Sequence, residues 1–169
     1  MRIGIFGATR PLKNFMSAAG AALEIGQSLR ADLELWMNTG RTEGGGDTIL
    51  NAITEMVKGV PFVRIVQTGW QTWPQFRNTV AHMHLLQPSY TESFNMVTAD
   101  GIAAGVPSVV GDAIDWCPNH WQARTDDVQD IARVGRQILR DHGASAEGLR
   151  ALEAHNASAL AAWRGYLGA

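Results

Sequence analysis

Short apolar runs alternate with longer stretches in which apolar residues recur every three or four positions. The runs "RIGIFGA" (2–8), "LELWMN" (33–38), "FVRIVQTG" (62–69), "HLLQPS" (84–89) and "PSVVGD" (107–112) have the length and continuous apolar character of strands buried on both faces. Residues 13–30, 49–59, 72–83, 92–105, 125–143 and 146–166 read as helices. In the Gly-rich loop "RTEGGGDT" (41–48), Asp47 or Thr48 is a candidate N-cap. Gly59 closes the helix that follows. Pro74 suits the first turn of helix 72–83. Strands alternating with helices of this length predict right-handed βαβ units. The expected fold is α/β, a single Rossmann-like, doubly wound parallel sheet occupying residues 1–169. Ligands of such sheets bind at the carboxyl ends of the strands, which directs attention to residues 7–14, 38–48, 68–73, 88–96 and 111–122.

Composition narrows the function classes. The 169 residues are 46% hydrophobic and 18% charged, an ordinary globular mix. A formal net charge of −2 gives no basis for nucleic-acid binding. No apolar run approaches the roughly 20 residues of a membrane span, and the apolar part of the N-terminus is too short for a signal peptide. The single cysteine, Cys117, excludes an internal disulfide and fits a reducing compartment, so the expected location is the cytoplasm. Cys117 has no His-Asp partner pattern and reads as a buried thiol. His82 and His84 are assigned no metal role, and no metal site is expected.

The first turn, "GIFGATRPLKN", holds glycines where a dinucleotide would bind. Arg10 stands where the nicotinamide fingerprint wants its third Gly, and the second strand ends in "LWMN" with no ribose-binding acid. An NAD(P) enzyme is therefore the least favoured of three readings. Arg10 and Lys13 add two cations to a helix start that already attracts anions, which suits a phosphate or diphosphate; the alternative is two solvated surface charges. Glu92 and Asp100 lie in the segment between the fourth and fifth strands. If both were helical they would lie within about 80° around the axis and roughly 12 Å apart along it. A carboxylate accepting from vicinal hydroxyls suits a sugar or ribose. Read singly, Glu92 is a first-turn acid favouring the helix dipole and Asp100 an exposed polar residue.

"PSYTESFNMVTADGIAAGVPSVV" (88–110) resembles the signature of GT-B-fold, family-4-type retaining glycosyltransferases (glycosyl transferases group 1). Pro88-Ser89, Glu92, Phe94, Asp100, Ala104-Gly105, Pro107 and Val109-Val110 match in order and spacing, and the first-strand loop supplies the Arg and Lys. The resemblance covers nearly the whole chain as the C-terminal, donor-binding half of such an enzyme. It implies that Arg10 and Lys13 grip the donor diphosphate and stabilise the leaving nucleotide, and that Glu92 holds hydroxyls of the transferred sugar. The three are the implied catalytic residues. It also implies that the backbone N–H groups of Phe94, Asn95 and Met96 clamp the diphosphate and that Asp100 holds the ribose. Ser93, Gly7 and Gly69 complete the implied donor-binding set. The donor would be a nucleoside diphosphate sugar, with no cofactor and no metal. Three differences from the family pattern stand out: Asp100 is one methylene shorter than the usual Glu, "ESFN" replaces "EGFG", and Arg10 is closer than usual to Lys13.

The resemblance further implies an N-terminal acceptor domain that nothing in residues 1–169 supplies. A partner subunit would fill that place, and a homodimer is a further arrangement. Alone, the chain is expected to transfer little. The second reading is a nucleotide- or partner-binding module without transferase activity. Trp70, Trp73, Trp116 and Trp121 are expected on the ligand edge, one stacking on a base and others facing the second domain; the alternative is core and loop anchoring. Trp163 and Tyr166 on the last helix are candidates for docking on a partner.

Overall fold

The computed structural model describes residues 1–168. Six parallel strands form one sheet in the order β3-β2-β1-β4-β5-β6. The strands are β1 (Arg2–Ile5), β2 (Leu33–Asn38), β3 (Val63–Thr68), β4 (His84–Gln87), β5 (Ser108–Gly111) and β6 (Gln122–Ala123). The helices are α1 (Phe15–Leu29), α2 (Gly46–Val57), α3 (Trp73–Val80), α4 (Met96–Ala103), α5 (Val128–Arg140) and α6 (Ala144–Leu167). This is the doubly wound α/β architecture expected from the alternation of apolar runs and helical patterns. No helix among the described residues is long and apolar enough to cross a membrane.

The core forms because central strands present apolar side chains to both faces. Ile3, Leu35, Met37, Leu86 and Val109 face α1 and α5, while Leu85 and Phe6 pack with Val80, Met83 and Val106 on the other side. Helix α1 approaches α5 closely because its inner face is nearly all alanine: Ala18, Ala19, Ala21 and Ala22 are fully buried. Gly135 on α5 completes the fit, since a Cβ there would lie 2.7 Å from Ile25 Cδ1. Register on the open side of the sheet is supported by charge. Glu34 on β2 lies opposite Arg2 on β1 and Arg64 on β3 and pairs with both. The Arg64 guanidinium, then the Trp36 indole N–H, holds the Glu34 carboxyl down at about 2.

Away from the site, elements differ from the sequence reading in several places. Helix α2 starts at Gly46 with Gly45 as N-cap in the left-handed region, two or three residues before the Asp47 or Thr48 cap that composition suggests. Helix α5 is shorter than 125–143, capped by Asp127, whose Oδ1 accepts from Gln129 N at 2.9 Å and Asp130 N at 3.1 Å. The sixth strand is absent from the sequence reading altogether. Its two residues are too few to carry a period, and it exists only because it pairs with Val110 and Gly111 of β5.

Candidate functional site

The strand order reverses between β1 and β4, so the loops leaving their carboxyl ends diverge and open a crevice. The loop after β1 begins with Gly7, whose φ of 108° turns the chain where a side chain would be strained. Thr9 then stitches it to the neighbouring loop. Its Oγ1 donates to Asn38 O at 3.1 Å, its N donates to Arg41 O at 2.9 Å, and its O accepts from Glu43 N at 2.8 Å. A single 3-10 turn, Pro11–Lys13, follows. Asn14 closes it in the left-handed region, and its side-chain amide donates to Pro88 O at 3.0 Å and Thr125 O at 2.7 Å. Tyr90 N also donates to Leu12 O at 3.0 Å. The loops after β1 and β4 are thus tied across the crevice, and this fixes where Lys13 stands.

Lys13 Nζ forms an ion pair with Glu92 Oε1 across the crevice. The two side chains are only 11% and 10% exposed, so each charge depends on the other. Asn95 Nδ2 also donates to Glu92 Oε1, at 3.3 Å, while Asn95 Oδ1 accepts from Thr98 N at 3.0 Å and caps α4. Helix α4 begins at Met96, so Glu92 belongs to the preceding loop and the helical spacing expected for Glu92 and Asp100 does not apply. The reason is Asn95: with φ 28° and a capping side chain, it starts the helix one turn later than the apolar pattern suggests. Among the described hydrogen bonds, no backbone N–H of Ser93, Phe94, Asn95, Met96 or Val97 is a donor. These free donors beside an ammonium group can bind an anion.

Beside this pair lies a cavity of about 220 Å³ lined by apolar and aromatic residues. Phe6 and Gly7 come from the β1 loop, Trp70 and Gln71 from the β3 loop, Trp73 and Phe76 from α3, and Met96 and Val97 from α4. Asp100 is the ionisable residue of the lining. Its Oδ1 accepts from Trp73 Nε1 at 3.0 Å, and the Arg77 guanidinium lies 4.7 Å over the Trp73 ring. An aromatic-lined cavity carrying one acid, beside free N–H donors and a lysine, offers surfaces for stacking, for accepting hydroxyl hydrogen bonds and for binding an anion.

Most residues singled out from sequence gather here, with three exceptions. Arg10 turns away: its Nη1 lies 3.4 Å from Glu43 Oε2, and Glu43 also pairs with Arg41. Sequence reasoning missed Glu43, and no motif marks it. Gly69 does not line the cavity; it flanks Trp70, and its backbone packs against Gly40, where a Cβ would come within 2.9 Å of Gly69 C. Phe94 points away from the cavity and stacks on Trp116 and His155. The tryptophans divide. Trp70 and Trp73 are exposed cavity walls, whereas Trp121 is fully buried against Gly148 and belongs to the core, not to the ligand edge. Among the described residues, ligand atoms of His120, Asp141 and Glu147 lie within 4.8 Å of one another at the surface, none of them lining this cavity. Burial pushes the Cys117 thiol up to about 12, which leaves it a protonated core residue.

No protein-family model matches the chain, and no curated protein sequence does. Its fold does have counterparts. The C-terminal domain of a glycosyl transferase group 1 family protein from Francisella tularensis superposes with a TM-score of 0.72 at 17% identity, covering 90% of this chain and 84% of that one. Sucrose-phosphate synthase from Thermosynechococcus elongatus gives 0.76 at 18% identity, covering 99% of this chain and 45% of the enzyme. The pneumococcal O-GlcNAc transferase GtfA, solved with UDP and GlcNAc, gives 0.70 at 14% identity, covering 99% and 35%. The chain thus spans less than half the length of the two larger enzymes. Its fold is that of the C-terminal, Rossmann-like half of a GT-B glycosyltransferase.

Proposed function

We propose that this chain binds the nucleoside diphosphate sugar of a retaining glycosyltransferase, and that transfer needs a second, N-terminal half that holds the acceptor. The observation that carries the reading is the nearly buried Lys13–Glu92 pair set beside the unpaired N–H groups of residues 93–97. Lys13 and those N–H groups, Ser93 to Met96 among them, grip the diphosphate. Their positive ends neutralise the charge that develops as the nucleotide leaves, so no metal is required for that task. Glu92 orients hydroxyls of the sugar. Gly7 lets the diphosphate approach the backbone. Asp100, held by Trp73, receives the ribose hydroxyls, and the Trp70–Trp73 slot receives the base; Gly69 keeps the turn into that slot narrow. Arg10 joins the diphosphate by leaving Glu43, a surface pair of small intrinsic strength. The acceptor half belongs to the same polypeptide or to a partner subunit.

The test is a binding panel by calorimetry and thermal shift: UDP, GDP, ADP, their sugars, NAD and NADP. One nucleoside diphosphate and its sugar should raise the unfolding midpoint by mass action, and Lys13→Ala should abolish the shift. A shift with NAD or NADP alone would overturn the reading. Unchanged affinity in Lys13→Ala would remove Lys13 from the site.

A further inference from the structure

The loop that carries Glu92 and the free N–H groups has little backbone support of its own. Residues 91–95 adopt no regular structure. What fixes the loop's far side is the ring of Phe94. It stacks on Trp116, with centroids 5.4 Å apart and planes at 27°, and on His155, at 5.2 Å and 24°. Trp116 and His155 touch each other at 5.7 Å. Trp116 lies in the turn after β5, and His155 sits midway along α6, 61 positions after Phe94 in sequence. Three rings from three segments meet behind the candidate nest, and none of them lines the cavity.

We propose that His155 and Trp116 are positioning residues: their rings hold Phe94, and through it the direction of the 93–97 N–H groups that face the diphosphate. This rests on the donor-binding reading above. The physical basis is leverage. Phe94 lies two residues after Glu92 and next to Asn95, whose left-handed backbone is tolerated only while its neighbours hold it. Without the His155 ring, Phe94 loses one of its two ring contacts, and the loop that carries the N–H groups regains conformational freedom. The cavity, Asp100 and the α4 cap are untouched by that loss. Helix α6 is thereby linked to the donor loop by packing alone, with no polar group of its own in the site.

Two readouts on the 169-residue chain separate this proposal from the one it rests on. The first needs no ligand: the rate of chymotryptic cleavage after Phe94 in the free protein, which requires the Phe94 ring to leave its stack. His155→Ala should speed it about three- to tenfold, the loss expected for one aromatic pair, and His155→Phe should restore it to within about twofold. The second is UDP affinity by calorimetry, which should weaken about three- to tenfold in His155→Ala and recover in His155→Phe. Unchanged cleavage in His155→Ala overturns the proposal. So does failure of His155→Phe to rescue, which would assign the effect to the imidazole nitrogens and not to ring stacking. If the wild-type chain binds no UDP and none of the other nucleotides, the donor reading fails, and the cleavage experiment still decides whether the rings hold the loop. Trp116→Phe, which keeps a ring in place, is expected to stay within about twofold of wild type in both.

Discussion

Replacing Glu92 with Gln removes one negative charge while keeping the side chain's length and an amide oxygen to accept from Asn95. Two consequences of opposite sign follow from the geometry. The first concerns stability. Lys13 is 11% exposed and its charge is matched by Glu92, so the variant leaves a nearly buried ammonium without its counter-charge. Breaking a buried pair by removing one partner costs about 3–5 kcal/mol, and a pair at a crevice rim keeps some water, so about 2–3 kcal/mol is expected. For a chain of this size that lowers Tm by roughly 4–12 °C. The second concerns the ligand. In the empty site Glu92 neutralises the cation that the diphosphate needs. A phosphate on Lys13 would sit about 6 Å from the Glu92 carboxylate, a repulsion of about 1–2 kcal/mol between the water and near-surface dielectric limits. Glu92→Gln should therefore bind UDP about five- to thirtyfold more tightly than wild type. The sugar's own contribution should vanish, so UDP-sugar and UDP should bind alike in the variant. Calorimetry with UDP and with its sugars, alongside a thermal melt, reads all three quantities. A variant that melts lower and also binds UDP more weakly would refute the reasoning, because Glu92 would then act by holding the loop and not by competing for Lys13. An unchanged Tm would refute the idea that the pair is energetically closed.

Three further outcomes are expected. Trp73→Phe keeps the ring but removes the N–H that holds Asp100 at 3.0 Å; nucleotide affinity should fall about threefold, reflecting a hydrogen bond at a partly exposed site, with Tm shifted by less than about 2 °C. His84 sits at the amino end of β4, where burial, and secondarily the N-terminal ammonium, hold its pKa below the ordinary 6.5. Below that ordinary value the unfolded chain takes up a proton that folded His84 refuses, so this residue's contribution to stability is lost as pH falls through and below 6.5. Denaturant unfolding at about pH 7 and about pH 5.5 should show a smaller acid loss in His84→Leu than in wild type, and equal losses would exclude His84 as the cause. Cys117, 3% exposed with its thiol pushed up to about 12, should resist Ellman's reagent at about pH 8 in the native chain and react fully in guanidinium; rapid native labelling would contradict its burial.

The fold was legible because short, mostly apolar runs such as "LELWMN" and "HLLQPS" recur between stretches whose apolar residues follow a helical period. Where a run was too short to have a period, as at Gln122–Ala123, nothing local announced the strand, and only pairing with β5 makes it one. The start of α4 was misread for a different reason. Apolar periodicity extends back across Phe94, but Phe94 is apolar because it packs on Trp116 and His155, not because it belongs to a helical face. A signal for the true start was present: Asn95 followed three residues later by Thr98, whose N–H the Asn side chain accepts.

At the site, residue identity was readable but pairing was not. Lys13 and Glu92 are separated by 79 positions, and only the crevice between β1 and β4 turns them toward each other. Arg10 shows the converse. Its sequence context is as favourable as that of Lys13, yet Glu43 lies nearer and takes its guanidinium. A cation three residues from another can face a different acid whenever a 3-10 turn separates them, as Pro11–Lys13 does here. The tryptophans make the same point for packing. Trp121 and Trp73 both follow strands at the carboxyl edge, but Gly148 leaves room for the Trp121 ring inside the core, while α3 turns Trp73 toward Asp100. The carboxylates at this crevice are tolerated in the folded chain because each has a partner. Glu92 is held by Lys13 and Asn95, and Asp100 by Trp73. Each acid has a hydrogen-bond donor that orients it, and the donor it would release or share on binding is the quantity the Glu92→Gln and Trp73→Phe variants measure.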